Sequence, residues 1–284
     1  MDDLQTERKG QILAVKDLPT LPTVLDKVTR LVQDPDSSTE EIARVISRDQ
    51  VLSAKVLKMV NSSIYGFPRR ISTVQHALVL LGFNVIRGLI ISSSVFDIMA
   101  QSMVGLWDHS VGVAVASNCL AKAAGIKDPE EYAVTGLLHD IGKVVVAVQL
   151  PESRQEIDDQ VTRRDLSYYD AEKVVLGFSH DRINAWLADH WNLPLNLREG
   201  LAWHHRPQSA KHYPGMAHVV HVADFMVKTL EVGNSGDDQV PYLEKNSLKA
   251  LGLTLQDLDG VLDQVIEEVA DLESMSPELE GQAG

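Results

Sequence analysis

Seven histidines and aspartates between positions 109 and 224 have side chains of the types that bind divalent metals. They are His109, His139, Asp140, His180, His204, His205 and Asp224. Neutral imidazoles and carboxylates are ligands of first-row divalent metals, and a site for two ions also needs a carboxylate that bridges them. Adjacent side chains on one helix point about 100° apart, so His139 and Asp140 could reach two neighbouring ions. The pattern predicts a metal site for one or two ions, with these seven residues as candidate ligands.

Two further residues lie close in sequence to the candidate ligands. Lys143 follows His139 by one helical turn, so its ammonium group could contact a phosphate or pair with a carboxylate. His221 precedes Asp224 by three residues and therefore shares its helix face. His221 could orient a ligand or substitute for one, and we leave it outside the predicted set.

The elements that must position these residues are predicted to be helices. Apolar residues recur at three- and four-residue spacing along most of the chain, and no stretch alternates cleanly as a half-buried strand would. The first apolar stripe follows the two prolines of residues 18–22 and ends at residues 34–36. The predicted fold class is therefore all-α.

Two features predict where the next helices begin or break. Ser38 and Glu41 have the spacing of a capping box, which predicts a second helix that continues to Val60. A third amphipathic stretch spans residues 77–90, and Gly82 within it predicts a close helix contact or a break.

The second predicted helix carries a stripe of basic side chains. They are Arg44, Arg48, Lys55 and Lys58. Such a stripe could receive a phosphate-bearing ligand or an acidic partner, or it could be a solvated helix face. No recognition helix can be identified in the sequence, so DNA binding is not predicted.

Charge is distributed unevenly along the chain. The 284 residues include 26 basic and 40 acidic side chains, for a formal net charge of −14. Residues 231–284 hold 13 of the acidic and two of the basic side chains, so residues 1–230 are nearly neutral. Neither part has the basic excess of a non-specific nucleic-acid binder. Composition predicts a flexible linker at residues 233–238, followed by an acidic helical segment that solubilises the protein or faces a partner.

Cysteine content and hydropathy bear on the compartment. Cys119 is the only cysteine in the sequence, which excludes an intrachain disulfide and a cysteine-based zinc site. The most apolar stretch, residues 85–100, is interrupted by Arg87 and Asp97, and the first residues lack the pattern of a signal peptide. We therefore predict a cytoplasmic protein without a membrane span.

The histidines and aspartates occur in the order H…HD…H…HH…D, and the N-terminal half adds a dense set of further motifs. These are Leu18-Pro19-x-Leu21-Pro22, Asp34-Pro35 with Ser38 and Glu41, Ile46-x-x-Asp49-x-x-Leu52, Asn61-Ser62-x-x-Tyr65-Gly66 and Ala77-x-x-x-Leu81-Gly82. Together they resemble the HDOD domain, a signalling branch of the HD superfamily of metal-dependent phosphohydrolases. The resemblance covers about residues 16–230.

The resemblance implies a domain organisation and a role in bacterial signal transduction. An N-terminal helical subdomain, residues 16–100, would pack on an HD-type metal-binding helical bundle, residues 101–230. Residues 1–15 would be a lead-in, and residues 231–284 would be the linker and acidic segment. HDOD domains are regulatory relatives of the HD-GYP cyclic-di-GMP phosphodiesterases, and many have lost metal ligands. This chain keeps all seven candidates.

The comparison with HD-GYP proteins also concerns activity. In that family the lysine after the HD pair contacts substrate phosphate, and Lys143 occupies the matching position. Two departures count against the same activity here. Gly105 stands where a carboxylate can precede the first histidine, and the residues after the paired histidines, 206–208, read Arg-Pro-Gln without a Gly-Tyr-Pro motif.

Three functional hypotheses follow. The first is a regulatory signalling protein that binds one or two divalent ions, with iron or manganese favoured over magnesium, nickel or zinc, and acts through a signalling protein partner or a phosphate-bearing nucleotide. The second is an active phosphohydrolase or cyclic-dinucleotide phosphodiesterase, in which Asp140 would bridge the metals and orient the attacking water while Lys143 would stabilise phosphate charge. The third is a metal-free interaction module. The sequence leaves the oligomeric state open.

Overall fold

A computed structural model describes Gly10, Ile12, residues 23–34 and residues 37–275. Residues 23–34 and 37–275 contain fourteen α-helices and one 3₁₀ turn, and none of the described residues is in a strand, which confirms the all-α prediction. The predicted lead-in apart from Gly10 and Ile12, the prolines of residues 18–22 and the turn at residues 35–36 lie outside the described residues.

The helices form two groups. The N-terminal subdomain contains α1 (Thr23–Gln33), α2 (Thr39–Ser47), α3 (Gln50–Val60) and α4 (Val74–Ser102). The bundle contains α5 (Leu106–Ala123), α6 (Pro129–Leu138), α7 (Ile141–Gln149), α8 (Pro151–Arg164), α9 (Tyr168–Leu176), α10 (His180–His190), α11 (Leu195–Trp203), the 3₁₀ turn (Pro207–Ser209), α12 (Pro214–Thr229), α13 (Ser247–Leu251) and α14 (Leu255–Met275). Helix α4 packs against α6 and α7, so the N-terminal subdomain lies on the bundle as predicted.

The capping box is confirmed, but the helix that it begins is shorter than predicted. Ser38 Oγ accepts a hydrogen bond from the Glu41 N–H, and the Glu41 carboxylate accepts one from the Ser38 N–H. The chain then leaves the helix after Ser47, because the Asp49 side chain accepts the Leu52 N–H at 3.0 Å and caps α3. The basic residues predicted on one helix are therefore divided, with Arg44 on α2, Arg48 just after it, and Lys55 and Lys58 on α3.

Gly82 is a break within α4. Its φ of +72° is non-helical, and a Cβ there would meet no atom within 4 Å. The close helix contact is instead at Gly88, where a Cβ would lie 2.3 Å from a methyl carbon of Val134 on α6. The segment Val74–Val95 is long and apolar enough to cross a membrane, but 67% of it is buried inside the fold, as in the core helix of a globular protein.

Polar contacts also join the subdomain to the bundle. Glu131 on α6 accepts hydrogen bonds from Asn84 of α4 at 2.7 Å and from Asn196 of α11 at 2.5 Å. The buried Arg87 guanidinium of α4 donates to the carbonyl of Trp191, at the end of α10. These bonds connect α4 directly to α6 and to the end of α10, and Glu131 links α6 in turn to α11.

The acidic C-terminal helix is part of the fold and not an appendage. Helix α14 packs against α5, and it buries Val261, Val265 and Val269, which recur every four residues. Four acidic side chains are exposed on the remaining surface, namely Asp257, Asp259, Asp263 and Glu267, whereas Glu268 faces α5. Sequence composition reports the exposed charge of this helix, whereas its apolar stripe decides where the helix packs.

This packing leads to a prediction for the lone cysteine. Cys119 on α5 is 1% exposed, and its thiol lies 3.7 Å from a carboxylate oxygen of Glu268 on α14. Burial, followed by the Glu268 charge, raises the pKa of the Cys119 thiol to about 12. Because the thiolate is the reactive form, we expect the folded protein to resist alkylation by iodoacetamide at pH 8. Mass spectrometry should detect the adduct only after denaturation, and labelling of the folded protein would contradict the packing of α14 on α5.

Candidate metal centre

The His139–Asp140 pair lies at a junction between two helices and not on one helix as predicted. Helix α6 ends at Leu138, and α7 begins at Ile141. The pair is 1% exposed. The end of α6 approaches α5 closely, because a Cβ at Gly136 would lie 2.7 Å from the carbonyl oxygen of Val113. The glycine thus allows the junction to lie deep inside the bundle.

Three of the predicted ligands form what we call the deep triad: His109 on α5, His139 at the junction and Asp224 on α12. The Asp224 Oδ1 atom lies 3.2 Å from His109 Nε2 and 3.8 Å from His139 Nε2. All three side chains are buried.

Three others form what we call the three-histidine triad: His180, His204 and His205. The Nε2 atom of His180 lies 3.3 Å from that of His204 and 2.8 Å from that of His205. His180 begins α10, and the other two follow α11 directly. His205 is the half-buried member, and its ring centroid lies 4.2 Å from that of Tyr169. This triad therefore lies nearer the protein surface.

The Asp140 carboxylate lies between the two triads. Its Oδ1 atom is 3.2 Å from His180 Nε2 in the three-histidine triad. Its Oδ2 atom faces the deep triad, at 3.4 Å from His139 Nε2 and 3.8 Å from His109 Nε2. The structure thus brings all seven predicted residues together, and Asp140 occupies the position that a bridging carboxylate requires.

Unsatisfied buried atoms indicate that this donor set fits a cation. The Nδ1 atoms of His139 and His204 donate to the carbonyls of Gly136 at 2.7 Å and Leu201 at 3.0 Å. A carbonyl only accepts, so in the neutral ring the inward Nε2 atom carries a lone pair. Four inward atoms lack a hydrogen-bond partner: Nε2 of His109 and His139, and Oδ1 of Asp140 and Asp224. Buried polar atoms without a hydrogen-bond partner cost free energy, and a divalent cation bound among them would remove that cost.

Burial keeps most of the histidines in the form that binds a metal. It lowers the pKa of His180 and His205 well below the ordinary value, and it lowers the pKa of His204 to about 4. It also lowers the pKa of His109. These four imidazoles are therefore neutral at pH 7.

The charged groups of the centre stabilise one another. Burial by itself would raise the pKa of Asp140, but His139 and Lys143 outweigh burial and hold that pKa well below its ordinary value. In the same way, burial opposes the charged form of Lys143, and the Asp140 carboxylate outweighs it and raises the pKa of Lys143. The centre therefore contains an ionised carboxylate that can attract cations.

Lys143 pairs with a carboxylate, which was one of the two alternatives considered for it. Its Nζ atom lies 2.6 Å from Asp140 Oδ2 and donates a second hydrogen bond to the carbonyl of Ser235 at 2.8 Å. The ammonium group is buried by the segment in which the composition predicts a flexible linker. That segment is packed on the centre, because its main-chain groups bond to the bundle.

His221 supports the centre from behind. Its Nδ1 atom donates to the carbonyl of His204 at 2.7 Å, and its Nε2 atom accepts the Glu244 N–H at 2.9 Å. Both ring nitrogens are therefore occupied, and His221 is not one of the inward ligand atoms.

Two supporting residues were missed by sequence reasoning. Glu172 Oε2 accepts hydrogen bonds from both the main-chain N–H of His180 at 2.9 Å and its Nδ1 atom at 2.6 Å. Asn184 accepts from the Gly142 N–H at 2.8 Å and donates to the carbonyls of His139 and Leu201. A weak signal exists for each, because Glu172 falls on a buried stripe of α9 and Asn184 lies four residues after His180.

The Glu172 contact leads to a prediction. A carboxylate behind a histidine ligand fixes the ring and raises its basicity, and its loss typically costs about 10- to 100-fold in metal affinity. We expect Glu172→Gln to weaken Mn²⁺ binding by that factor, as measured by isothermal titration calorimetry. Glu152→Gln, on the exposed start of α8, is the matched control. Equal affinity of the two variants would show that Glu172 does not tune the site.

Comparisons with known proteins agree with the fold and with the residue pattern. The HDOD domain family matches residues 18–207. An uncharacterized protein from Treponema pallidum (strain Nichols) is 26% identical over 233 residues, which cover 80% of this chain and 45% of that protein. This chain therefore spans less than half the length of that curated relative.

Three solved structures are similar along most of this chain. An HDOD domain protein of unknown function from Geobacter sulfurreducens is 25% identical, with a TM-score of 0.67 and coverage of 98% of this chain and 94% of that one. A candidate phosphohydrolase from Shewanella amazonensis SB2B is 27% identical, with a TM-score of 0.65 and coverage of 92% and 98%. A candidate signal transduction protein from Marinobacter aquaeolei VT8 shares the fold at 18% identity, with a TM-score of 0.71 and coverage of 90% and 58%.

Proposed function

Because this chain belongs to the HDOD domain family, we propose that it is a cytoplasmic regulatory protein of signal transduction whose buried centre binds one or two divalent metal ions. The observation that supports this proposal most strongly is the position of Asp140, whose two carboxylate oxygens face different triads. One ion would be held by the deep triad and the other by the three-histidine triad. Nitrogen-rich donor sets with carboxylates suit iron or manganese, and also nickel or zinc.

Burial of the centre favours regulation over catalysis. Six of the seven proposed ligands are at most 4% exposed, and Lys143 is also 4% exposed. A substrate could reach these groups only after part of the fold had moved. A metal held in this way stabilises one arrangement of helices α5, α10 and α12, and that arrangement would be recognised by a signalling protein or set by a phosphate-bearing nucleotide.

A phosphohydrolase is the alternative, and the contact between Lys143 and Asp140 supports it. A bound divalent metal supplies Lewis-acid activation of water and neutralises developing phosphate charge. Asp140 would orient the reacting groups, and the Lys143 ammonium would hold a phosphate oxygen once it was released from its present partners. The similarity to a candidate phosphohydrolase at 27% identity is consistent with this alternative.

Metal analysis tests the proposal. Protein purified without chelator should contain up to two equivalents of a divalent transition metal per chain. Elemental mass spectrometry measures this metal content. His109→Ala in the deep triad and His205→Ala in the three-histidine triad should each remove one equivalent. If the wild type loaded with Mn²⁺ or Fe²⁺ contains no metal after gel filtration, the metal centre is disproved.

A separate assay distinguishes regulation from hydrolysis. The loaded protein is incubated with cyclic di-GMP and with a generic phosphodiester, and product is followed by chromatography. We expect no turnover. Turnover that is lost together with metal in His109→Ala would replace the regulatory assignment with the phosphohydrolase.

A further inference from the structure

The main chain of residues 232–239, which we call the strap, crosses the centre beside Lys143. We propose that the strap closes an anion-binding position at Lys143 and that the Ser235 carbonyl stands in for an oxygen of a phosphate group. The inference rests on the proposed function in that it concerns the same centre. The strap lies beyond residues 18–207, where the chain matches its family.

The strap is anchored next to a proposed ligand. The Asn234 N–H donates to the carbonyl of Gly105 at 2.9 Å, just before α5 begins. Gly233 has a φ of +65°, and a Cβ there would lie 2.2 Å from the main-chain nitrogen of His109. Only a glycine allows the strap to approach the first turn of α5 this closely.

Lys143 is the group that the strap covers. Its ammonium has three N–H donors, of which one reaches Asp140 and a second reaches the Ser235 carbonyl. The Tyr168 ring lies 5.3 Å from Nζ and covers another side. A carbonyl is a neutral acceptor, whereas an anionic oxygen would add the attraction between opposite charges to the hydrogen bond. A phosphate oxygen would therefore be a better partner than the one that Lys143 has.

The Ser235 hydroxyl lacks a hydrogen-bond partner when the strap is closed. Ser235 is 3% exposed, and its hydroxyl is buried. An unpaired buried hydroxyl disfavours the closed strap, because water would satisfy it in an open one. The closed arrangement must therefore be held by contacts elsewhere in the strap.

Asp237 supplies those contacts. Its Oδ1 atom accepts from Lys228 Nζ at 2.8 Å and from the Gln239 N–H at 2.9 Å. Its Oδ2 atom accepts the main-chain N–H of Tyr168 at 2.7 Å, at the start of α9. One side chain thus fastens the strap to α12 and to α9. Gly236 adds a steric requirement, because a Cβ there would lie 2.5 Å from the Tyr168 ring.

The charge of the centre points to an anion as the displacing ligand. Two divalent cations would exceed the charge of Asp140 and Asp224, and the Lys143 ammonium adds to the excess. A tetrahedral phosphate group carries enough charge and enough oxygens to contact both Lys143 and a cation. It could be inorganic phosphate or the phosphate of a nucleotide, and the experiment below separates these sources.

Two substitutions open the strap by different routes. Asp237→Ala removes the fastening carboxylate, and Gly236→Ala introduces a methyl group against Tyr168. Asp238→Asn, which removes one negative charge from the exposed neighbouring residue, is the control. Hydrogen exchange of the amides of residues 233–237 reports opening. Calorimetric titration with inorganic phosphate and with AMP, on metal-free and Mn²⁺-loaded protein, reports binding.

We expect faster exchange and about tenfold tighter phosphate binding in both open variants. Phosphate binds only when the strap is open, so the apparent affinity is reduced in proportion to the fraction of molecules in which the strap is open. Adding Lys143→Ala to Asp237→Ala should abolish that gain. A gain with both ligands identifies the phosphate group itself, and a gain with AMP alone identifies a nucleotide. The proposal is overturned if exchange rises without a gain in either ligand, if Lys143→Ala leaves the gain intact, or if neither substitution raises exchange.

The two proposals can fail separately. If the wild type and both open variants bind no metal, the proposed function is wrong, while the titration of metal-free protein still tests Lys143 and the strap. If metal binds but the open variants gain nothing, the strap inference is wrong and the metal centre remains.

Discussion

Asp140→Asn is expected to abolish two-metal binding, with at least about a 100-fold loss of Mn²⁺ affinity. Even residues that only support a metal ligand contribute about 10- to 100-fold, and Asp140 faces both triads directly. An amide keeps the size of the carboxylate but cannot supply its charge. The measurement is metal content after equilibrium dialysis, together with calorimetric titration.

This substitution also leaves Lys143 without its carboxylate partner. Breaking a buried ion pair by removing one partner costs roughly 3–5 kcal/mol. If the single variant does not fold, the double variant Asp140→Asn/Lys143→Met should still fold, because it removes both charges of the pair. The metal measurement is then made on the double variant. Asp170→Asn, on the exposed first turn of α9, is the control. Two equivalents of metal in a folded double variant would contradict the bridging role of Asp140.

Removal of metal is expected to lower the melting temperature of the wild type by roughly 10 °C. A ligand at 1,000 times its dissociation constant stabilises the folded state by about 4.1 kcal/mol, and each kcal/mol corresponds to about 2–4 °C for a domain of this size. The physical cause is the set of buried acceptors that lack a partner without a cation. Differential scanning calorimetry before and after dialysis against EDTA, followed by readdition of Mn²⁺, measures the shift.

The control for this prediction is the Asp140→Asn/Lys143→Met protein. EDTA should shift its melting temperature much less than that of the wild type, because its affinity for metal is expected to be at least about 100-fold lower. An unchanged melting temperature for the wild type, in a sample whose metal was shown to be removed, would mean that the inward-facing lone pairs are satisfied without a cation.

The strap connects the proposed anion-binding position at Lys143 with the proposed metal centre. Its closed arrangement depends on Asp237, which also bonds to the first residue of α9. Helix α9 carries Glu172, which orients His180. Opening of the strap would therefore alter the three-histidine triad through α9. A phosphate-bearing signal would in this way have a physical route to the metal centre.

Local features of the sequence were sufficient for the all-α class and for the residue types of the site, although they joined α2 to α3 and placed His139 and Asp140 on one helix. The capping box at Ser38 and the break at Gly82 depend on neighbouring residues only, so spacing predicts them. The seven imidazoles and carboxylates can be identified from residue type and from their order along the sequence. Whether they bind metal stays a prediction. The Glu172 and Asn184 contacts were not predicted, because an ordinary polar residue in a helix gives little sign of which distant group it meets.

Sequence by itself determined the all-α class, the family resemblance and the list of candidate ligands, because those depend on residue type, order and short-range spacing. Only the tertiary structure decided that Asp140 lies between two triads, since its neighbours His109 and His180 are separated from it by 31 and 40 positions. It also decided that residues 232–239 cover Lys143, although their composition is typical of a linker. Glycines permit a flexible chain and a closely packed one alike, and the difference lies in what the rest of the fold places against them.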